Sequence, residues 1–332
     1  MSDAVLDIDG VSRDFPVGQL ASGRPRHHLR AVDRVNLSLR AGETLGLVGE
    51  SGCGKSTLAR IMMALDHPTG GSVRLNGAAW SGLAPSELKS RRRHIQMIFQ
   101  DPVASLNPRM TARASICEPL TNFTRLDAVS IGRRTEDLAA QVGLSGHHLD
   151  RFPHELSGGQ CQRVGIARAI AAEPDVLIAD EPVSALDVSI QAQILNLLLD
   201  IKERMGLAMV FVSHDLSVVN HIADRTAVMY LGRIVEIGPT QKLFSDPKHP
   251  YTRMLLGSVP HPLPSARHAK PEVRGELPSP LSPPSGCHFR TRCPIAIEEC
   301  ANTVPTSQPP GAEHRAACLR LDAEIEKGPP HE

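Results

Sequence analysis

The sequence carries no excess of charge of either sign: Lys and Arg together number 36, as do Asp and Glu, so the formal net charge is zero. That removes the electrostatic footprint expected of a chain whose main partner is nucleic acid. No apolar run approaches the ~20 residues needed to span a bilayer. The opening stretch MSDAVLDIDG is acidic and lacks the basic region and apolar core of a secretory leader. No internal repeat is visible. These absences predict a soluble chain that reaches any membrane through a partner. In a cytoplasmic setting, its seven cysteines are not expected to form a disulfide framework.

What is present is the composition of a globular protein, 41% hydrophobic and 22% charged over 332 residues. That is enough for roughly two domains of about 150 residues each. From Val5 to about Pro260, short apolar stretches alternate with helix-like ones. TLGLVG, DVLIAD and AMVFVS read as buried strands, which favours an α/β fold with a mainly parallel sheet. Asp101–Val164 lacks a clear strand and is expected to form a mostly helical lobe. Beyond Pro260 the composition changes: 14 of the 27 prolines and four of the seven cysteines lie in 260–332. Such a tail is expected to build little regular structure, and its last dozen residues to be loose.

The stretch GESGCGKST, Gly49 to Thr57, follows one predicted strand and precedes the helix-like LARIMMAL. This is the setting a phosphate-binding loop requires. Gly49, Glu50, Ser51, Gly52, Cys53 and Gly54 would wrap phosphates with backbone N–H groups, Cys53 contributing only its own. Lys55 would reach the β- and γ-phosphates, and Ser56, followed by Thr57, would ligate Mg²⁺. DVLIADEP ends a strand in two carboxylates: Asp180 suits Mg²⁺ and Glu181 suits polarisation of an attacking water. AMVFVSHD repeats the geometry and puts His214 at a third strand end, where ligands of such sheets gather. A second phosphate-binding element stands about a hundred residues after the loop. In ELSGGQCQRV, Ser157 reads as the N-cap of a helix starting Gly158-Gly159-Gln160, with free N–H groups and a positive dipole end.

Taken together, these motifs resemble the ATP-binding subunits of ABC transporters, over residues 5–260 and in the family's order. The resemblance implies a P-loop NTPase core with a helical signature lobe at about 101–165, ATP and Mg²⁺ as ligands, and ATP hydrolysis as the activity. Gln100 matches the glutamine that reaches the Mg²⁺ site, and Asp187 the end of the SALD loop. His214 matches the switch histidine. Phe15 stands where the family places an aromatic on adenine, although a core role is equally open. The family pairs its subunits head to tail, so Ser157, Gly158, Gly159 and Gln160 would contact the ATP held by a partner chain. Cys161 departs from the family's usual basic or polar residue, and a weakened contact beside the site is the expectation. The loop Asp101–Met110 would face a permease helix, with Leu106 as its apolar contact.

A finer resemblance covers nearly the whole chain. QDPVASLNPRMT, LFSDPKHPYTRMLLGSVP and GELPSPLSPPSGCHFRTRC are similar to dipeptide and oligopeptide importer ATPases, the second of their two ATPase subunits above all. The implied organisation is an ATPase domain, 5–260, and a C-terminal extension, 261–325. The implied partners are a second ATPase subunit (a similar chain or a copy), two permease subunits and, indirectly, a solute-binding protein. The implied place is the cytoplasmic face of the inner membrane. Relatives that carry nickel complexes or glutathione keep the cargo open. A soluble ABC ATPase acting on DNA or ribosomes is disfavoured, because neither long coiled coils nor two fused halves are present. A module that does not turn over is disfavoured by Glu181 and His214. Cys287, Cys293, Cys300 and Cys318 lack the close C-x2-4-C pairs of zinc modules. Four thiolates suit iron–sulfur or zinc, and the resemblance favours a [4Fe–4S] cluster over zinc or free thiols. Cys117 reads as an ordinary residue.

Overall fold

The computed structural model describes residues 4–19, 25–258, 276–309 and 311–321. Two sheets organise the chain. The smaller is antiparallel in the order β2-β1-β4-β5, formed by β1 (Ala4–Gln19), β2 (Pro25–Arg40), β4 (Gly70–Leu75) and β5 (Ala78–Ala79). The larger has the order β11-β10-β9-β3-β8-β7-β6. Its strands are β3 (Thr44–Val48), β6 (Ile95–Ile98), β7 (Val176–Asp180), β8 (Ala208–Ser213), β9 (Arg225–Tyr230), β10 (Arg233–Pro239) and β11 (Arg315–Ala316).

β3, β7 and β8 are buried at every residue. Covered on both faces, they read as unbroken apolar runs rather than alternating ones, which is why these three strands could be read from sequence. The large sheet is mainly parallel, as expected, and the small sheet is one that the sequence did not reveal. β3, β6, β7, β8 and β9 pair in parallel, but β10 and β11 join antiparallel, and the small sheet is antiparallel throughout. Its strands escaped reading because the register of β1 against β2 shifts between Ile8 and Val11 and again beside Arg13. Each bulge breaks the two-residue rhythm of buried Leu6, Ile8 and Val11.

Helices follow the strands. α1 (Lys55–Met62) packs against the small sheet and one face of the large one, and α2 (Pro85–Arg91) borders it. The helical lobe appears as expected, with α3 (Ala112–Phe123), α4 (Ala128–Gln141), the short α5 (Gly146–Leu149) and α6 (Gly158–Ile170). Thr111 and Asp127 cap α3 and α4 by accepting from the N–H groups of Ala114 and Ser130. The lobe shares one core with the opposite face of the large sheet and with α7 (Val188–Met205) and α8 (Leu216–Ile222). α9 (Thr240–Ser245) and α10 (Pro250–Gly257) lead towards the tail.

In the described part of the tail, regular structure is limited to α11 (Glu299–Asn302) and the two residues of β11, as the proline content implied. The tail is nevertheless docked. β11 extends the large sheet beside β10, and His314 Nε2 lies 2.8 Å from the buried Glu236 carboxylate. Phe289, 2% exposed, packs edge-on to Tyr230 with ring centres 5.3 Å apart. The expected boundary at Pro260 and all but the first of the last dozen residues lie outside the described residues. Among the described residues, no helix is long and apolar enough to cross a membrane.

Candidate functional site

Four neighbouring parallel strands, β3, β8, β7 and β6, end on the same edge of the large sheet. Each delivers one predicted motif there: Gly49–Thr57 after β3, His214 after β8, Asp180 and Glu181 at the end of β7, and Gln100 two residues after β6.

The loop after β3 is held from within and without. Lys55, only 5% exposed, donates from Nζ to the carbonyls of Gly49 (2.7 Å) and Glu50 (3.1 Å). Gly54 has φ +109°, and a Cβ there would collide with the carbonyl of Ala31, so glycine is required on two counts. Cys53 is buried with its thiol pushed up in pKa by burial, which leaves its backbone as the part available to a ligand. Ser51, Gly52 and Ser56 are exposed and Thr57 half-buried. The Ser56 hydroxyl donates to Asp180 Oδ1 at 3.2 Å. Burial raises the Asp180 pKa, and the neighbouring Glu181 adds to the rise. A hydroxyl and a buried carboxylate side by side form a hard-oxygen pair suited to Mg²⁺.

Glu181 ties the other two strand ends together. Its Oε2 accepts from Gln100 Nε2 at 3.0 Å, and its Oε1 lies 3.2 Å from His214 Nδ1. The backbone at Glu181 takes φ +46°, a left-handed value costly for a residue with a side chain, fixed by its N–H donating to Val212 at 2.9 Å. Phe15 lies partly exposed on β1 beneath the Arg13 guanidinium, 4.5 Å from its ring centre, rather than in the core.

The Ser157–Gln160 stretch forms the expected helix start. Ser157 caps α6: its Oγ accepts from Gln160 N–H at 3.2 Å, and its own N–H donates to Gln160 Oε1 at 2.9 Å. Gly158 and Gly159 form the first helical residues, and a Cβ on Gly159 would press on Ile190 of α7. Ser157 and Asp187 are exposed, the latter as the N-cap residue of α7.

Two expectations are overturned here. Cys161 does not face the site: it is fully buried in the lobe core, with Sγ 3.5 Å from the carbonyl of Pro153. The second turn of α6 directs this position inward, so no contact beside the site is weakened. Leu106 is 4% exposed and belongs to the same core, so it is not the apolar contact of a docking surface. Its neighbour Val103, 46% exposed, is the apolar side chain that the loop presents.

The structure adds residues that no motif announced. Tyr251 on α10, fully buried, accepts the Glu50 N–H on its hydroxyl at 2.9 Å. Arg292 of the tail grips the Glu50 carboxylate with two N–H bonds of 2.8 and 3.0 Å. Both lie in stretches that carry the importer resemblance, but nothing there marks them as partners of the loop, and they stand 201 and 242 residues from Glu50. The only signal within the sequence was an acidic residue inside a loop meant for anions.

The four tail cysteines come together. Cys287, Cys293, Cys300 and Cys318 line a single small cavity, together with Phe289 and Ile295. Burial pushes the thiols of Cys287, Cys293 and Cys318 up, that of Cys293 to about 11, and charge on neighbouring thiolates adds to each rise. Among the described residues, no three His, Cys, Asp or Glu side chains are placed to hold a metal ion.

A glycine-rich loop, a buried lysine and strand-end carboxylates on one edge of a parallel sheet define the site of a phosphate-loop nucleotide hydrolase. Comparison with known proteins narrows the class. The family model for ABC transporters matches residues 32–184, and that for the oligopeptide/dipeptide transporter C-terminal region matches residues 235–300. The probable peptide ABC transporter ATP-binding protein y4tS of Sinorhizobium fredii is 49% identical over 320 residues, covering 96% of this chain and 90% of that protein. The oligopeptide transport ATP-binding protein OppF of Escherichia coli is 51% identical over 323 residues, covering 96% of each. Among solved structures, the dimeric ATP-binding cassette MJ0796, in a post-hydrolysis state with ADP and Pi, superposes with a TM-score of 0.64. It is 29% identical and covers 71% of this chain and 98% of that one. This chain belongs to the ABC transporter family of ATP-binding proteins, and its activity is ATP hydrolysis.

Proposed function

We propose that this chain is the ATP-hydrolysing subunit that powers peptide import through a separate membrane permease. The observation that carries the reading is the joining, in one structure, of the four-strand hydrolytic edge to a docked tail of the oligopeptide/dipeptide transporter type. The relatives named for peptide and oligopeptide transport match over nearly the full chain.

Lys55 and the loop N–H groups bind the triphosphate, while Ser56, Asp180 and Gln100 would hold Mg²⁺, which would supply charge neutralisation to the phosphates. Glu181 orients and deprotonates the attacking water, and His214 contacts the γ-phosphate. Phe15 stacks on adenine. Ser157, Gly158, Gly159, Gln160 and Asp187 serve the ATP of a second subunit arranged head to tail, and the dimeric state of the MJ0796 cassette supports pairing as such. A groove between the large sheet and the lobe, lined by Phe99, Phe123 and Arg168, suits a permease helix, with Val103 nearby. The partners in this reading are a second ATPase subunit, two permease subunits and a solute-binding protein, with the chain peripheral on the inner membrane's cytoplasmic face. The domains are 5–260 and 261–325.

The four thiols fit a [4Fe–4S] cluster. They line one cavity, and the choice of a cluster rests on the resemblance of the tail to peptide-importer ATPases. Cys287, Cys293, Cys300 and Cys318 would each ligate one iron, and the cluster would serve as a structural tie for a tail poor in core.

Uptake tests the cargo. Cells lacking the chain should lose labelled di- and oligopeptide uptake and recover it with the unsubstituted chain but not with Glu181→Gln. Normal peptide uptake alongside lost nickel or glutathione uptake would reassign the cargo. Anaerobic purification followed by iron, sulfide and zinc assay tests the cluster, and one equivalent of zinc would rule it out.

A further inference from the structure

Residue 50 lies in the stretch whose backbone must cradle a polyanion, yet it carries a carboxylate. An unpaired carboxylate beside a triphosphate opposes binding, and the effect is strong where water is partly excluded. The Glu50 side chain is only 28% exposed. Its countercharge comes from neither the loop nor α1 but from the tail. Arg292, 6% exposed, meets both carboxylate oxygens in the forked geometry that guanidinium favours. The guanidinium carbon also lies 5.9 Å from the ring centres of Tyr230 and Phe289, so aromatic faces fix its position. Glu50 is gripped at two further points: its N–H donates to Tyr251 and its carbonyl accepts from Lys55 Nζ. Two residues distant in sequence, Tyr251 and Arg292, together with Lys55 five positions on, thus fix one residue of the phosphate loop at its N–H, its side chain and its carbonyl.

We infer that Arg292 is a positioning residue for nucleotide binding: it neutralises Glu50 beside the phosphates and so makes the C-terminal extension part of the phosphate loop's support. It acts through Glu50. The role rests on Gly49–Thr57 being the nucleotide loop, so Mg-ATP binding by the unsubstituted full-length chain is measured first and tests that reading separately.

The pair then gives a charge-specific test. Arg292→Ala should weaken Mg-ATP binding by roughly tenfold, about 1.4 kcal/mol. In the assembled transporter it should raise KM with kcat nearly unchanged, because the interaction is the same in ground and transition states. Arg292→Lys, which keeps the charge but loses the fork, should fall between. The decisive variant is Arg292→Ala with Glu50→Gln. It lacks the anchor just as the single variant does, but it also lacks the stranded charge, so affinity should return to within about threefold of the unsubstituted chain. Unchanged affinity in Arg292→Ala would overturn the inference. So would a double variant no tighter than the single one, since a merely structural anchor would leave both equally weak. Thermal unfolding of each variant accompanies the titrations, and affinities that follow melting temperature rather than charge would also overturn it.

Discussion

The sheet-edge site and the docked tail are built in opposite ways. At the edge, each functional side chain sits at a strand end, within two residues of one, or in the loop and helix start that follow β3, and parallel pairing brings the motifs together. In the tail almost no regular structure exists, and position is set by individual long-range bonds: Arg292 to Glu50, His314 to Glu236, Cys287 N–H to the Cys300 carbonyl at 2.8 Å. A site assembled from short motifs at strand ends announces itself motif by motif. A site built pair by pair is silent until the chain is folded. Yet the two meet at Glu50, where the silent region supports the legible one.

The largest effect that would sharpen this contrast lies at the edge. Glu181→Gln should keep Mg-ATP binding and lose roughly 10²–10⁴-fold in turnover, the range for losing a general base. Single-turnover assays that show near-normal hydrolysis would remove Glu181 from that role. Next comes the lobe: Leu106→Ala should destabilise the chain by about 2–5 kcal/mol as a core truncation, read by denaturant melts. Val103→Asp should leave stability within about 0.5 kcal/mol, as surface changes do, and instead reduce permease-coupled transport. Equal stability losses at both positions would contradict their difference in burial. Ser157→Arg in one chain of a pair should remove about half of the turnover by blocking the site that holds the other chain's ATP, in line with charge and bulk placed at a helix start. Photolabelling lost only at the altered chain's own loop would reverse the head-to-tail reading. The smallest effect on binding is on the tail side: Tyr251→Phe removes one acceptor from the Glu50 N–H and should weaken nucleotide binding several-fold, about 0.5–1.5 kcal/mol. A loss as large as that of Arg292→Ala would mean that the hydroxyl, not the charge, dominates the support.

How much could be read in advance follows the same division. The loop after β3, the paired carboxylates, His214 and the Ser157 cap were legible because each needs only a short stretch and one element type, and the structure places them as read. The small antiparallel sheet was not, because bulges near Val11 and Arg13 scramble its alternation. Cys161 and Leu106 were misjudged because each stands beside a motif and was credited with facing what the motif faces. On α6 the inward direction at Cys161 is set by helical rotation. At Leu106 it is set by packing against the lobe, which no local pattern records. The convergence of four cysteines separated by five to seventeen residues was expected from family resemblance, and only the folded tail shows the shared cavity.

The Glu50–Arg292 pair also has a consequence in time. The two residues are 242 positions apart, so at about 5–20 residues per second the ribosome makes the acid roughly 12–50 s before its base. The central strand β3 waits for its flanking partners β8 and β9, and even then the phosphate loop lacks its countercharge until the tail emerges. Chains released at residue 270 should therefore retain Mg-ATP more weakly than chains released at residue 321, and equal retention would remove the effect. On this reading, tight nucleotide loading marks a finished polypeptide, so an interrupted one competes poorly for ATP before it can claim a place in the transporter.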